Sequence, residues 1–130
     1  MSRQDVPIRW QDIDGLGHVS HVAILSYLEE GRDAWLQRHG IGRDQYVVGR
    51  CSVAYLSEIR LSDQALTVEC DLCRVGTSSL VTTERILASP DRVMVQAEFH
   101  LVVWDARTRR SRPITEQERE RLVRAEEVLA

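Results

Sequence analysis

The chain contains no lysine and no asparagine, and all 17 of its basic side chains are arginine. Schiff-base and other lysine-amine chemistry is thereby excluded. Cysteine is scarce. Cys51, Cys70 and Cys73 form an odd set, which argues against a disulfide framework. Cys70 and Cys73 do stand as C-x-x-C, a spacing used by redox and zinc sites. Their setting, LTVECDLCRV, alternates like a strand, and a separation of three puts the two thiols on opposite faces. No second pair or nearby histidine completes a zinc ligand set, so the pair reads as structural and no metal is expected. Excess positive charge is also missing. The formal net charge is −3, which gives no basis for nucleic-acid binding. No apolar run approaches the roughly 18 residues of a membrane span. The opening MSRQDVPIRW lacks the apolar core of a signal peptide. A soluble, cytoplasmic protein with no membrane or nucleic-acid partner is expected.

With 43% hydrophobic and 28% charged residues, the composition is that of an ordinary globular protein. A length of 130 residues suffices for one core and not for two, so residues 1–130 are read as a single domain. A short strand is expected over 6–11, then a helix from Ser20 to about His39, stopped by Gly40 and Gly42. Its polar positions Ser26, Glu29, Glu30, Asp33 and Gln37 fall on one face, opposite Ile24, Leu25, Leu28, Gly31 and Trp35. Arg32 is placed to pair with Glu29 at i, i+3. Four strands follow, at 51–59, 66–75, 80–88 and 93–104, with Cys51, Val53, Tyr55 and Ile59 sharing a face of the first. The breaks between the last three are hairpin-length, which predicts an antiparallel meander. An arginine loop, ARTRRSRP (106–113), leads into a surface helix with a thin stripe of Leu122, Ala125 and Leu129, started by a Thr115/Glu118 capping box. One broad-faced helix that must be covered by one antiparallel sheet is an α+β architecture.

The stretch DIDGLGHVSH (12–21) packs two acids, two glycines and two histidines just before the helix. Asp14 lies six residues before Ser20 on a glycine-flanked loop able to fold back on the helix N-terminus. That terminus offers unpaired N–H groups and the positive end of the helix dipole. A carboxylate beside such donors is a sensible pairing for acyl transfer: a nucleophile or base, and a site for developing negative charge. The same residues also make an ordinary polar turn. GTSSL is no nucleophile elbow, so no serine triad competes.

The segment RWQDIDGLGHVSHVAILSYLEEGRDAWL (9–36) resembles the signature of the hotdog-fold acyl-CoA thioesterases of the 4-hydroxybenzoyl-CoA thioesterase family. The match runs through Arg9, Trp10, Asp12, Asp14, Gly17, His18, Val19, Tyr27, Leu28, Glu29, Glu30 and Arg32. RVGTSS and DARTRRSRPI resemble the family's central hairpin and post-strand loop more weakly. The resemblance implies a hotdog fold: an antiparallel sheet wrapped around a long central helix, with a C-terminal surface helix in this chain. It implies hydrolysis of an acyl-CoA thioester to a carboxylic acid and free coenzyme A, the coenzyme being substrate and not cofactor. It implies a homodimer or dimer of dimers with sites at the subunit interface, and the open sheet edges argue the same way.

By this resemblance Asp14 is the catalytic carboxylate, and the oxyanion donor is a backbone N–H near His21. Gly17, His18 and His21 are the substrate-binding candidates. His18 could orient the carboxylate or the scissile carbonyl, or bridge loop backbone groups; the His21 side chain reads as solvent-facing. Asp12 braces the loop. Arg107, Arg109 and Arg110, with Arg112, are candidates for the coenzyme A phosphates, against the bland reading of a solvated loop. Glu29 and Glu30 read as a solvated or interface face, and His100 as structural. Where many relatives carry two asparagines this chain has Ser20 and His21, and Ser20 can still cap the helix. Gly31 stands where alanine is more usual, a change expected to matter little. Two other readings stay open: a hotdog hydratase or dehydratase using Asp14 and His18, and a non-catalytic acyl-thioester binding module.

Overall fold

A computed structural model describes residues 1–129, with side-chain surroundings for 1–124. The first strand, β1, spans Ser2–Pro7 and not 6–11. Pro7 has no N–H for the ladder, so pairing stops there. The chain then makes a 3-10 turn at Trp10–Asp12, closed by Asp12 N–H donating to Arg9 O at 3.0 Å and Ile13 N–H to Trp10 O at 3.1 Å.

Helix α1 spans His21–Arg38. Ser20 caps it, its Oγ accepting from the Ala23 N–H at 3.2 Å. Gly40, at φ +88°, ends it in the left-handed conformation expected of a C-terminal glycine. The buried stripe repeats at three and four: Ile24, Tyr27, Leu28, Gly31, Arg32, Trp35 and Leu36. Glu29 and Glu30 are exposed as expected. Arg32 is not. It is 2% exposed and faces the sheet, where Glu84 takes it bidentately, Nε to Oε2 at 2.9 Å and Nη2 to Oε1 at 3.0 Å. Its guanidinium also lies 3.8 Å from the Phe99 ring centroid. The expected i, i+3 pair with Glu29 is therefore replaced by a long-range one, because Arg32 sits within the buried stripe.

Strand β2 spans Tyr46–Tyr55, β3 Ala65–Val75, β4 Ser79–Ser89 and β5 Arg92–Asp105. The last three are the expected meander, each within one residue of its predicted ends. β2 starts five residues before the expected 51 and ends four before 59. A register shift between Val48 and Arg50 interrupts the alternation that would have disclosed its first half. Cys51, Val53 and Tyr55 do share a face, opposite Phe99, Ala97 and Val95, but Ile59 lies beyond the strand. A two-residue β6, Arg110–Ser111, folds back on the end of β5, within the stretch expected to be loop. The sheet is antiparallel throughout in the order β1-β3-β4-β5-β2, with α1 packed against β1, β3 and β4.

Helix α2, Glu116–Leu129, begins with the expected capping box: Glu118 N–H donates to Thr115 Oγ1 at 3.1 Å and Thr115 N–H to Glu118 Oε1 at 2.9 Å. Leu122 is fully buried; the side chains of Ala125 and Leu129 lie outside the described residues. Cys70 is buried, Cys51 and Cys73 are exposed, and all three are free. Among the described residues no helix is long and apolar enough to cross a membrane.

Gly31 matters more than its sequence suggests. A Cβ there would meet Val68 Cγ1 at 2.5 Å, so alanine fits only if the Val68 side chain or the elements carrying it give way. The next residue, Arg32, pins the same helix to β4. Removing Arg32 leaves the Glu84 carboxyl buried without its counter-charge. Arg32→Ala is expected to lower unfolding free energy by about 3–5 kcal/mol. The double variant Arg32→Met/Glu84→Leu should recover most of that loss. Urea unfolding midpoints of the three proteins check this.

Candidate active site

The segment before α1 is fixed by main-chain bonds before any side chain is considered. Asp14 N–H donates to His18 O at 2.7 Å, and Gly17 N–H donates to Asp14 O at 3.1 Å. Gly17 holds φ +80°, a conformation that favours glycine. Val19 N–H reaches Ile59 O at 2.7 Å and Ser20 N–H reaches Asp12 O at 2.8 Å. The loop is thus stitched to the chain beyond β2 and to itself, and it runs directly into the start of α1.

Within this turn Asp14 Oδ1 accepts two backbone hydrogen bonds, from Leu16 N–H at 2.9 Å and His18 N–H at 3.1 Å. Oδ2 has no protein partner among the described residues. One oxygen is used for orientation and the other is open for chemistry. Asp12 braces the loop as expected. Its Oδ2 accepts from the Tyr27 hydroxyl at 2.6 Å and from Arg9 Nε at 3.0 Å. Tyr27, and to a lesser degree Arg9, hold the Asp12 carboxyl below the usual carboxylate range. Burial, and then Asp12, push the Tyr27 phenol up to about 12. Asp12 is therefore committed to structure, and Asp14 is the free carboxylate of the pair.

Asp14, His18 and His21 line one cleft of about 450 Å³, together with Tyr55, Glu58 and buried Ile24 and Ile59. The His21 N–H stands at the first position of α1 with no acceptor among the described residues. His21 is exposed, as expected, and its ring also has a partner. Its Nδ1 shares a hydrogen bond with the Tyr55 hydroxyl, and the two rings meet edge to face at 5.7 Å. His18 Nε2 is paired with Glu58. Nothing in the sequence marks Glu58: SEIR reads as the alternating end of a strand, and its partner is not local. Tyr55 is legible only as a strand residue.

The arginine run lies elsewhere. Arg107 and Arg109 are exposed on the β5–β6 turn and Arg110 at the start of β6, near the end of β5 where Val103 pairs with Tyr46. The cleft lies at the other end, where Tyr55 pairs with Val95. The length of β2, at about 3.3 Å per residue, separates the two within one chain. Arg112 is already engaged, bidentately, by Glu118 at 2.8 Å for both bonds. A larger groove, about 610 Å³, is lined by Arg50, Arg85, Glu98 and His100 of the sheet. Its charges are largely paired, His100 Nε2 with Glu98 at 2.7 Å and Arg85 with Glu69, and no helix terminus lines it. Among the described residues no three histidine, cysteine or acidic side chains gather as a metal-binding set.

A curled antiparallel sheet against a half-buried helix, with an aspartate that keeps one oxygen open in the cleft at the helix start, is an arrangement suited to acyl transfer. The chain belongs to the thioesterase-like superfamily, whose family model matches residues 8–122, and it is an enzyme of the thioesterase class. It is 27% identical over 110 residues to the acyl-CoA thioester hydrolase YbgC of Escherichia coli, covering 79% of this chain and 81% of that one. A thioesterase from Thermus thermophilus, solved with coenzyme A and Zn, superposes with a TM-score of 0.85 at 31% identity, covering 97% of this chain and 94% of that one. The PA2801 protein of Pseudomonas aeruginosa, a putative thioesterase, gives a TM-score of 0.81 at 32% identity, covering 92% and 95%.

The two histidines are expected to separate on mutation. His21 offers its backbone N–H, which side-chain changes other than proline leave in place. His18→Ala should cost more turnover than His21→Ala. His21→Pro, tolerated in a first helical turn, should lose roughly 10²-fold, the usual worth of one oxyanion donor. Steady-state thiol release by the three folded variants checks the order. Equal damage from His21→Ala and His21→Pro would move the role to the imidazole.

Proposed function

We propose that this chain is a hotdog-fold acyl-CoA thioesterase, with α1 as the central helix that the sheet wraps. It converts a thioester and water into a carboxylic acid and free coenzyme A. The observation that carries the reading is Asp14: one carboxylate oxygen anchored by two backbone N–H groups, the other open, in the same cleft as the start of α1. Oδ2 attacks the thioester carbonyl or takes the proton of a water that does. The carbonyl oxygen, as it gains charge, is met by the His21 N–H and the positive end of the α1 dipole. Gly17 permits the tight turn that keeps Asp14 in place. The relatives named as acyl-CoA hydrolase and solved with coenzyme A support the substrate class. A cytoplasmic location accords with three free thiols.

The assembly follows from the sheet. Among the described residues β2 pairs only with β5, and it carries exposed Val47, Val48 and Tyr55. Two such edges joined antiparallel about a two-fold continue the sheet and cover those side chains. The same operation sets the Tyr46 end of one β2 beside the Tyr55 end of the other. The arginine turn of the second copy then comes to the mouth of this chain's cleft, where its guanidinium groups hold the coenzyme A phosphates. The arginines and the carboxylate, at opposite ends of one chain, thus meet across the dimer.

Thiol release from butanoyl-, octanoyl- and benzoyl-CoA, with stoichiometric carboxylic acid, tests the reaction. Loss of an enoyl-CoA chromophore without thiol release would identify a hydratase, and binding without either product a carrier module. Turnover should survive chelator treatment, since no ligand set for a metal is present among the described residues; its loss would contradict the mechanism. Light scattering at micromolar concentration should give a dimer or tetramer, and a monomer would overturn the shared site.

A further inference from the structure

We infer that Glu58 is a positioning residue for hydrolysis, acting through His18. The inference rests on the thioesterase reading above and adds a residue to it. Glu58 lies just past β2, in the segment that carries the chain away from the sheet. The Val19 N–H to Ile59 O bond, 2.7 Å, ties that segment to the Asp14 loop. Residues 18 and 58 are the immediate neighbours of that bonded pair. The backbone therefore sets the two side chains beside each other, and the contact does not depend on two long side chains finding one geometry.

Both carboxylate oxygens of Glu58 are used. Oε2 meets His18 Nε2, and Oε1 accepts from Arg60 Nε. The Arg60 backbone is fixed nearby, its N–H donating to Asp63 Oδ2 at 2.9 Å, while its side chain is exposed. A carboxylate partnered at both oxygens orients the imidazole it meets. The ring nitrogen facing a carboxylate carries the proton, so neutral His18 is held as the Nε2–H tautomer. Nδ1 is left with its lone pair and no protein partner among the described residues. In that state His18 cannot donate to a substrate carbonyl through Nδ1. It can accept a hydrogen bond from water in the cleft it shares with Asp14. The pairing removes donation to the scissile carbonyl through Nδ1 and points instead to a role the sequence did not suggest, holding the hydrolytic water. His21 is held separately by Tyr55, so the two imidazoles have different anchors.

The test compares Glu58→Ala, Glu58→Gln, His18→Ala and the double variant Glu58→Ala/His18→Ala, using whichever of butanoyl-, octanoyl- or benzoyl-CoA the wild type hydrolyses fastest. Glu58→Ala should lower kcat at least about tenfold with KM within about twofold, as expected for disordering a group that acts on the reacting water. Glu58→Gln keeps an acceptor for Nε2–H and should restore most of that loss. In the His18→Ala background, Glu58→Ala should cost nothing further. The ring nitrogens of His18 in 15N spectra should show one tautomer in the wild type and a mixture in Glu58→Ala. Unchanged kcat, a loss confined to KM, or costs of the two single changes that multiply in the double variant would overturn the inference. Wild-type thiol release with any of those results leaves the thioesterase reading standing and removes only Glu58. No wild-type thiol release removes the reading itself, and the inference with it.

Discussion

The ion pair between Arg32 and Glu84 decides where helix α1 sits, and the site depends on where α1 sits. Arg32 is buried in the middle of the helix, and Glu84 lies in the middle of β4. Two charges removed from water must be matched closely or the fold is strongly destabilised. Here the match is bidentate, Thr82 Oγ1 adds a bond to Glu84 at 2.6 Å, and Phe99 covers the guanidinium. Gly31 next to it lets Val68 of β3 approach the helix backbone. Rotation or sliding of α1 would break the pair and collide with Val68. The N-terminus of α1, with its free N–H groups, is thus delivered to one place on the sheet.

What stands in front of that terminus follows from short-range geometry. The turn from Asp14 to His18 closes on itself, then bonds to Asp12 and Ile59. Asp12 is drawn into the frame by Tyr27 and Arg9, and Asp14 is left with one free oxygen. Two acids two residues apart have acquired different duties because only one of them meets a phenol and a guanidinium. The proposed chemistry rests on an oriented carboxylate and donors aimed at the oxygen that gains charge.

Much of this is legible in the residues themselves. β3, β4 and β5 alternate cleanly, and Ser20, Gly40, Thr115 and Glu118 mark the helix ends by capping chemistry. The DIDGLGHVSH stretch announces a site because carboxylate, glycine and a helix start occur together. The features that escape are those fixed over long sequence separation. Arg32 looks like a surface partner of Glu29, because its mate is 52 residues away. Glu58 looks like a strand residue, since its pairing with His18 is set by a hydrogen bond between distant backbone groups. The first half of β2 goes unseen where its irregular register hides the period of two. The arginine turn groups with the carboxylate by charge alone, and only the sheet register shows that they lie at opposite ends of one chain.

The central claim is that the open oxygen of Asp14 performs the reaction. Replacing it by an amide of the same shape tests this most directly. Asp14→Asn keeps an oxygen to accept from the Leu16 and His18 N–H groups but supplies neither a nucleophile nor a base. With a melting temperature close to that of the wild type, thiol release by Asp14→Asn should fall by roughly 10²-fold or more. Near-normal thiol release by the folded variant would contradict the account.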